Sequence, residues 1–246
     1  MFISEQIASF SDLDHKLYSY IIRHLDQAIY MRIRDLAAAT GVSTTTILRF
    51  CKKVGCDGFA EFKIKLKLYK KEQDADNDGH VIAGEKSLTE FLERTLTRDF
   101  EEEIINIAKV IANSKRLVFT GVGSSGILAE YGSRYFSGLK KFAFYLKDPF
   151  LPIHEQYIED SVTIVLSVSG ESQATLSQVH QFKQKGSVIV SITNDANSSV
   201  AKVSDYNLAY YASTEFIGNT NLTTQLPVIY LIERLAKATY FELQKT

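Results

Sequence analysis

The spacing of apolar residues changes character once along this chain, and the change divides it. Through residue 71 every clear pattern is helical. Leu13, Leu17, Tyr18, Ile21, Ile22 and Leu25 share one face at helical spacing, which predicts a first helix with Asp12 as its cap. Ile33, Leu36 and Ala37 begin a second helix, and a third runs from about Thr44 to Val54. Phe59, Phe62, Leu66 and Tyr69 mark a fourth. Periodicity then stops. Residues 72–87 are polar, with Gly79, Gly84 and four acids between Glu72 and Asp78, and read as a linker.

Beyond it, Leu88, Phe91, Leu92, Leu96, Ile104, Ile105, Ala108 and Ile111 predict one long amphipathic helix. Short apolar runs then alternate with helical stretches. Strands are expected at 116–120, 142–146, 162–168, 187–193 and 206–212, with helices at 126–140, 173–185, 198–204 and 222–243. The strands lack inside/outside alternation, so both of their faces are buried, as in a parallel sheet covered by helices. The expected fold class is therefore α/β: an all-helical domain at 1–71, the linker at 72–87, and an α/β/α sandwich at 88–246.

Charge sharpens this division. The net charge of -1 conceals a basic front and an acidic remainder. Residues 1–71 hold 12 Lys+Arg against 7 Asp+Glu, while residues 72–246 hold 16 against 22. Within 32–71 the count is 10 against 3. A basic segment on an acidic chain is the electrostatic footprint of a nucleic-acid-binding module, although a solvated helix face has the same composition. Cys51 and Cys56 have neither C-x-x-C spacing nor a histidine pair, so reduced, inert thiols are expected, and no metal or other cofactor. The N-terminus lacks the apolar core of a signal peptide, and no run approaches the ~18 apolar residues of a membrane span. A cytoplasmic protein without membrane contact is expected.

The sharpest motif in the basic part is RIRDLAAATGVSTTTILRFCKKVGCDGF. The second helix ends at Thr40, and Gly41 supplies the left-handed conformation of a tight turn. Val42 plugs the angle between helices, and Ser43 caps the next one. Ile47, Phe50, Cys51 and Val54 form that helix's inner face, leaving Thr45, Thr46, Arg49, Lys52 and Lys53 outside. Hydroxyls at the helix start, including Ser43 and Thr44, reach base edges or phosphates; arginine pairs with guanine, and lysine suits phosphate oxygens. Ser43, Thr44, Thr45, Thr46, Arg49, Lys52 and Lys53 are thus the candidate DNA-binding residues. Lys63, Lys65, Lys67, Lys70 and Lys71 serve either phosphate contacts or solubility.

In the α/β part, GVGSSG (121–126) follows the first expected strand and SVSGES (167–172) the third. In an open parallel sheet, ligands bind at the carboxyl ends of strands, where a following helix offers amides and a favourable dipole to an anion. Gly121, Gly123 and Gly170 permit close backbone approach. Ser124, Ser125, Ser167, Ser169 and Ser172 supply neutral donors, and neither loop holds a lysine or arginine. Ordinary strand-to-helix turns with capping serines are the plainer reading of either loop alone. GVGSSG also fits the G-x-G-x-x-G dinucleotide fingerprint, with Asp148 about 22 residues on as the ribose-binding acid. A NADH-sensing repressor is therefore a rival.

These residues resemble the RpiR family of bacterial regulators over nearly the whole chain. GVSTTTILRFCKKVGCDGFAEFK looks like that family's helix-turn-helix core, and GVGSS with S-x-S-G-x-S looks like a SIS (sugar isomerase) domain. The resemblance implies a five-stranded parallel sheet flanked by helices. It also implies a phosphorylated-sugar effector and control, by repression, of carbohydrate-use genes through a DNA operator. Carried over, the phosphate sits against Ser167, Ser169, Gly170, Glu171 and Ser172, with Gly123, Ser124 and Ser125 facing the sugar or the phosphate. GNTNLTTQL departs from the Ser-Arg pair of many relatives before the last helix, which leaves the ligand open.

Two further alternatives follow. SIS folds also occur in sugar-phosphate isomerases, which need a positioned base; His154, Glu155, Glu171 and Glu215 are candidates by composition. The attached DNA-binding module favours a sensor, with no catalytic residue assigned. A sugar-phosphate-binding protein without a DNA role is the other alternative. Helix-turn-helix proteins read paired half-sites, so a homodimer or dimer of dimers is expected, with the apolar helices at 88–111 and 222–243 as candidate subunit contacts.

Overall fold

A computed structural model of the chain describes residues 2, 6–7, 9–76, 84–148, 158–217 and 220–245. It divides into two compact units: Met1–Ser87 with Tyr211–Thr224, and Leu88–Tyr210 with Gln225–Thr246.

The first unit is built on helices α1 (Asp12–Arg23), α2 (Leu25–Ala28), α3 (Ile33–Thr40), α4 (Thr44–Lys53) and α5 (Phe59–Asp76). Ser11, rather than Asp12, caps α1. Its hydroxyl accepts the Asp14 amide at 3.4 Å while the Asp14 carboxylate accepts the Ser11 amide at 3.0 Å, a reciprocal pairing that Asp12 is one residue too late to make. Gly41 closes α3 at φ 64 and Ser43 opens α4, accepting the Thr46 amide at 3.1 Å. Leu17, Ile21, Leu36, Val42, Ile47, Phe50, Cys51, Phe62 and Leu66 form one buried core beneath this turn. Burial pushes the Cys51 thiol up to about 12, so it stays protonated and unreactive at neutral pH. The backbone is helical to Asp76 and again from Gly84, so the expected linker at 72–87 is helical at both ends; its middle, 77–83, lies outside the described residues.

The second unit begins after α6 (Gly84–Thr95) has started and continues through α7 (Arg98–Asn113). Periodicity predicts a single helix over 88–111. The chain breaks it at Thr97, whose hydroxyl accepts the Phe100 amide at 3.4 Å and so starts a new helix in the same apolar phase. The sheet follows: β1 (Arg116–Gly121), β2 (Ala143–Leu146), β3 (Ser161–Ser167), β4 (Val188–Thr193) and β5 (Tyr206–Ala209). All five strands are parallel, in the order β2-β1-β3-β4-β5. Helices α8 (Ser124–Gly138), α9 (Gln173–Gln184) and α10 (Ser199–Val203) connect them, and α11 (Leu226–Leu243) ends the unit.

Alternation along β1 separates the two helical layers. Val118 joins Val165 and Ile189 in a cluster with Val179 and Phe182 of α9 and Val200 of α10. Its neighbour Phe119 points the other way, its ring 5.5 Å from Phe136 of α8. Gly132 of α8 exists because of that ring: a Cβ there would meet Phe119 at 2.5 Å. Helix α8 also packs against α11, which pairs with α7. Both faces of the strands are therefore covered, and β3 is buried at every position.

Residues 211–224, read from the sequence as part of the α/β domain, belong to the first unit. Tyr211 and Phe216 pack against its core, and Phe216–Ile217 (β6) pairs antiparallel with Thr220–Asn221 (β7). The chain thus leaves the sheet unit after Tyr210 and re-enters it at Gln225.

Candidate functional site

Helix α4 does not present every residue that spacing assigns to its outer face. Ser43, Thr45, Arg49 and Lys52 are exposed and Thr44 half-exposed. Thr46 is not available: it is 9% exposed and its hydroxyl lies 2.9 Å from that of Ser43, inside the cap. Lys53 keeps its ammonium 3.0 Å from the Asp14 carboxylate and 2.5 Å from the Ser9 carbonyl, with the Phe10 ring beneath. It anchors α4 to the start of α1. Burial of Asp14 opposes its ionisation, but the Ser11 amide, Lys53 and the Ser11 hydroxyl outweigh this and hold the carboxyl below its ordinary value. Arg49 and Lys52 form no ion pair with any described residue. Of the later lysines, Lys65 pairs with Glu61, Lys70 with Asp26, and Lys67 lies over Tyr30. These three brace the unit itself.

The sheet order reverses between β1 and β3, and at such a switch point diverging connections leave a crevice beyond the strands' carboxyl ends. GVGSSG leaves β1 and SVSGES leaves β3, so both serine loops border that point. In the first, Gly123 sits at φ 64 immediately before α8. A Cβ on Gly121 would strike the Ser125 carbonyl at 2.7 Å, and one on Gly126 the Gly121 carbonyl at 2.8 Å, so the backbone itself requires glycine at both for the turn to close. Ser124 is exposed and Ser125 buried.

The second loop is wired by its own hydroxyls. Ser167 accepts the Gly170 amide at 3.2 Å, Ser169 the Glu171 amide at 3.2 Å, and Ser172 the Thr175 amide at 3.4 Å as the cap of α9. The amides of Gly170 and Glu171 are therefore taken by serine oxygens, in place of the free amides expected from the sequence. Each hydroxyl still has its own O–H to donate, from a buried position at Ser167, an exposed one at Ser169 and a half-buried one at Ser172. The first-turn amides of Gln173 and Ala174 add donors that no helical carbonyl can reach. The outcome is a cationless set of O–H and N–H donors at a helix start, suited to a phosphate monoester. Gly170 stands at φ 65, and a Cβ there would meet Ser198 Oγ at 2.1 Å. Glu171 is engaged within the protein: its carboxylate accepts the Ser199 amide at 2.9 Å and hydroxyl at 2.7 Å, bracing the loop against α10.

Two linking residues escaped sequence reasoning. Gln225, just before α11, donates to Ser124 Oγ at 2.8 Å and accepts from Ser125 Oγ at 3.3 Å. Thr120, at the end of β1, donates to Gln178 of α9 at 2.8 Å in the interior. Only the departure of GNTNLTTQL from its relatives pointed toward the first. Among the candidate bases, His154 and Glu155 lie outside the described residues. Glu215 belongs to the helical unit; burial raises its pKa, and its Oε1 is buried without a partner among the described residues. Asp148 lies just beyond β2.

Residues 1–73 match the model of the helix-turn-helix domain of the rpiR family, and residues 110–233 that of the SIS domain. An uncharacterised HTH-type transcriptional regulator of Clostridium perfringens is 29% identical over 233 residues, which span 89% of this chain and 84% of that protein. Among solved structures, the Vibrio vulnificus NanR protein complexed with ManNAc-6P aligns with a TM-score of 0.56 at 19% identity, covering 96% of this chain and 91% of that one. The sugar isomerase domain of an RpiR transcription factor from Sphaerobacter thermophilus aligns with a TM-score of 0.53 at 16% identity, covering 65% of this chain and 90% of that one. No helix among the described residues is long and apolar enough to cross a membrane.

Proposed function

Since the chain belongs to the RpiR family of helix-turn-helix regulators with a SIS domain, we propose that it is a transcriptional regulator whose β1/β3 switch point receives a phosphorylated sugar and whose α4 reads a DNA operator. The observation that carries the effector assignment is the second loop, in which Ser167 and Ser169 each accept a loop amide and Ser172 the first-turn Thr175 amide; each hydroxyl then has a proton of its own to offer a phosphate oxygen. Ser124 and Ser125 of the first loop face the sugar or its phosphate. The ManNAc-6P complex of its structural neighbour agrees in ligand class.

Phosphate recognition without a lysine or arginine suits reversible sensing, because no buried charge has to be left unpaired when the ligand departs. Binding favours whichever protein state holds the sugar better, and that preference shifts the population of DNA-competent molecules. Duplex DNA with two half-sites calls for two copies of α4, hence a dimer of this chain, and the regulated genes are those of carbohydrate use, under repression. The protein acts in the bacterial cytoplasm, as a sensor without turnover. Of the candidate bases, Glu171 is engaged by Ser199.

Electrophoretic mobility of the upstream region of the protein's own gene, at low salt and with or without phosphosugars, tests this reading. A retarded complex is expected, altered by at least one phosphosugar. No complex at low salt removes the regulator role, since backbone phosphate contacts alone give binding there. Conversion of an aldose phosphate to a ketose phosphate removes the pure-sensor role.

A further inference from the structure

The outer face of α4 contains a residue that the charge-based account of DNA binding does not use. Leu48 is 43% exposed, in a helix whose other apolar members, Ile47, Phe50 and Cys51, are fully buried. It lies between Thr45 and Lys52 and beside Arg49, so positions 45, 48, 49 and 52 form one stripe at i, i+3, i+4 and i+7 spacing. Two residues expected on this stripe are engaged elsewhere: Thr46 in the cap and Lys53 with Asp14. The surface that remains is thus a hydroxyl, an aliphatic side chain, a guanidinium and an ammonium.

We infer that Leu48 is a base-reading residue that packs on the 5-methyl group of a thymine in the major groove. The inference rests on the DNA-binding reading above and deepens it. The major-groove edge of a base pair offers donors, acceptors and one apolar group, the thymine methyl. Arg49 and Thr45 match the polar features, and Leu48 is the only apolar side chain of the stripe. Its place agrees with this role. In a helix-turn-helix the first half of the recognition helix meets base edges while flanking positions meet the backbone. Leu48 is the fifth of the ten residues of α4, and Lys52 is the ninth. A leucine also gains nothing from phosphate or from water. Seated on a methyl group it loses hydrated surface, so its contribution is specific for sequence and insensitive to salt, unlike that of Lys52.

The test uses the full chain and a duplex selected by it from random-sequence DNA. Each thymine in turn is replaced by deoxyuridine, which lacks only the 5-methyl group. The wild type is expected to lose about fourfold in affinity at one thymine of each half-site, the fold-change that corresponds to burying one such carbon. Leu48→Ala is expected to bind thymine and uracil equally at that position, with an unchanged melting temperature because the side chain is exposed. Arg49→Ala is expected to weaken binding but to retain the thymine preference. If the wild type binds the duplex and no thymine shows a methyl dependence that Leu48→Ala abolishes, the inference is overturned while the DNA-binding reading stands. If Leu48→Ala instead dissociates a dimer and leaves the thymine-to-uracil ratio unchanged, Leu48 is a subunit contact and the inference is equally overturned. If the wild type binds no duplex at all, the reading beneath it fails first.

Discussion

The two serine loops of the sheet unit end adjacent strands and start helices, yet they are held in different ways. The loop after β3 has its hydroxyls set by its own neighbourhood: three serine oxygens accept three amides no more than three residues away, while the amides of Asn194 and Val200 donate to the Val168 and Gly170 carbonyls and Glu171 fastens the result to α10. The loop after β1 is held from outside. Its two serine hydroxyls share the amide of Gln225, which lies 100 and 101 residues away in sequence and directly follows the segment that belongs to the helical unit. A loop whose hydroxyls are already set by nearby amides presents the same donors with or without a ligand, so it suits an anchor for the phosphate of the proposed effector. Ser124 accepts from Gln225 and keeps its proton, but Ser125 donates to Gln225 and has to exchange that partner in order to donate to a ligand, so this loop suits discrimination and signalling.

Substitution at Gly170 gives the largest test of this contrast. In Gly170→Ala the left-handed backbone alone costs about 1–3 kcal/mol, and the new Cβ collides with Ser198, the cap of α10. Loss of all phosphosugar response and a lower melting temperature are expected together. A variant that still binds phosphosugars with wild-type affinity would remove the second loop as anchor.

Ser169→Ala and Ser172→Ala separate donation from folding. Ser172 caps α9, so its loss costs about 1 kcal/mol of stability as well as affinity. Ser169 is exposed and holds only one amide, so affinity is expected to fall with little change in melting temperature. Calorimetric titration alongside thermal melts reads both. Equal stability losses in the two variants would show that the hydroxyls serve the fold alone.

Gln225→Ala is expected to act more mildly on binding and more strongly on the response. The second loop is untouched, so phosphosugar affinity should shift by less than about tenfold, the worth of one modest hydrogen bond. The effect of the sugar on DNA affinity should nevertheless be reduced. Unchanged coupling in a mobility titration would place the signal elsewhere. Smallest of all is Glu171→Gln. It keeps an oxygen for Ser199, and stability is expected to change by about 0.5 kcal/mol or less; a large loss of binding there would reassign Glu171 to the ligand.

What the sequence revealed about these loops follows the same contrast. Both positions could be read from it, because a strand, a glycine and a capping serine are local signals. So could the turn at Gly41 and the cap at Ser43. The role of Gln225 could not, since its partners lie a hundred residues back and periodicity carries no information at that separation. The break at Thr97 was hidden because two helices in one apolar phase look like one. On the outer face of α4, charge and hydroxyl content favoured Thr46, whereas its hydroxyl closes the cap and Leu48 takes the surface. The segment 211–224 forms strands of only two residues each, too short for alternation to show.

The central claim is that the β1/β3 switch point is a phosphate-dependent receptor, and thermal stability measured with matched ligands tests it most directly. Each phosphosugar in a panel is compared with its own unphosphorylated parent, because only a ligand that prefers the native state raises the melting temperature. At least one phosphosugar is predicted to raise it while its parent does not, and Ser169→Ala is predicted to diminish that rise. A panel in which no phosphosugar acts, or in which parent and phosphosugar act equally, would contradict the account.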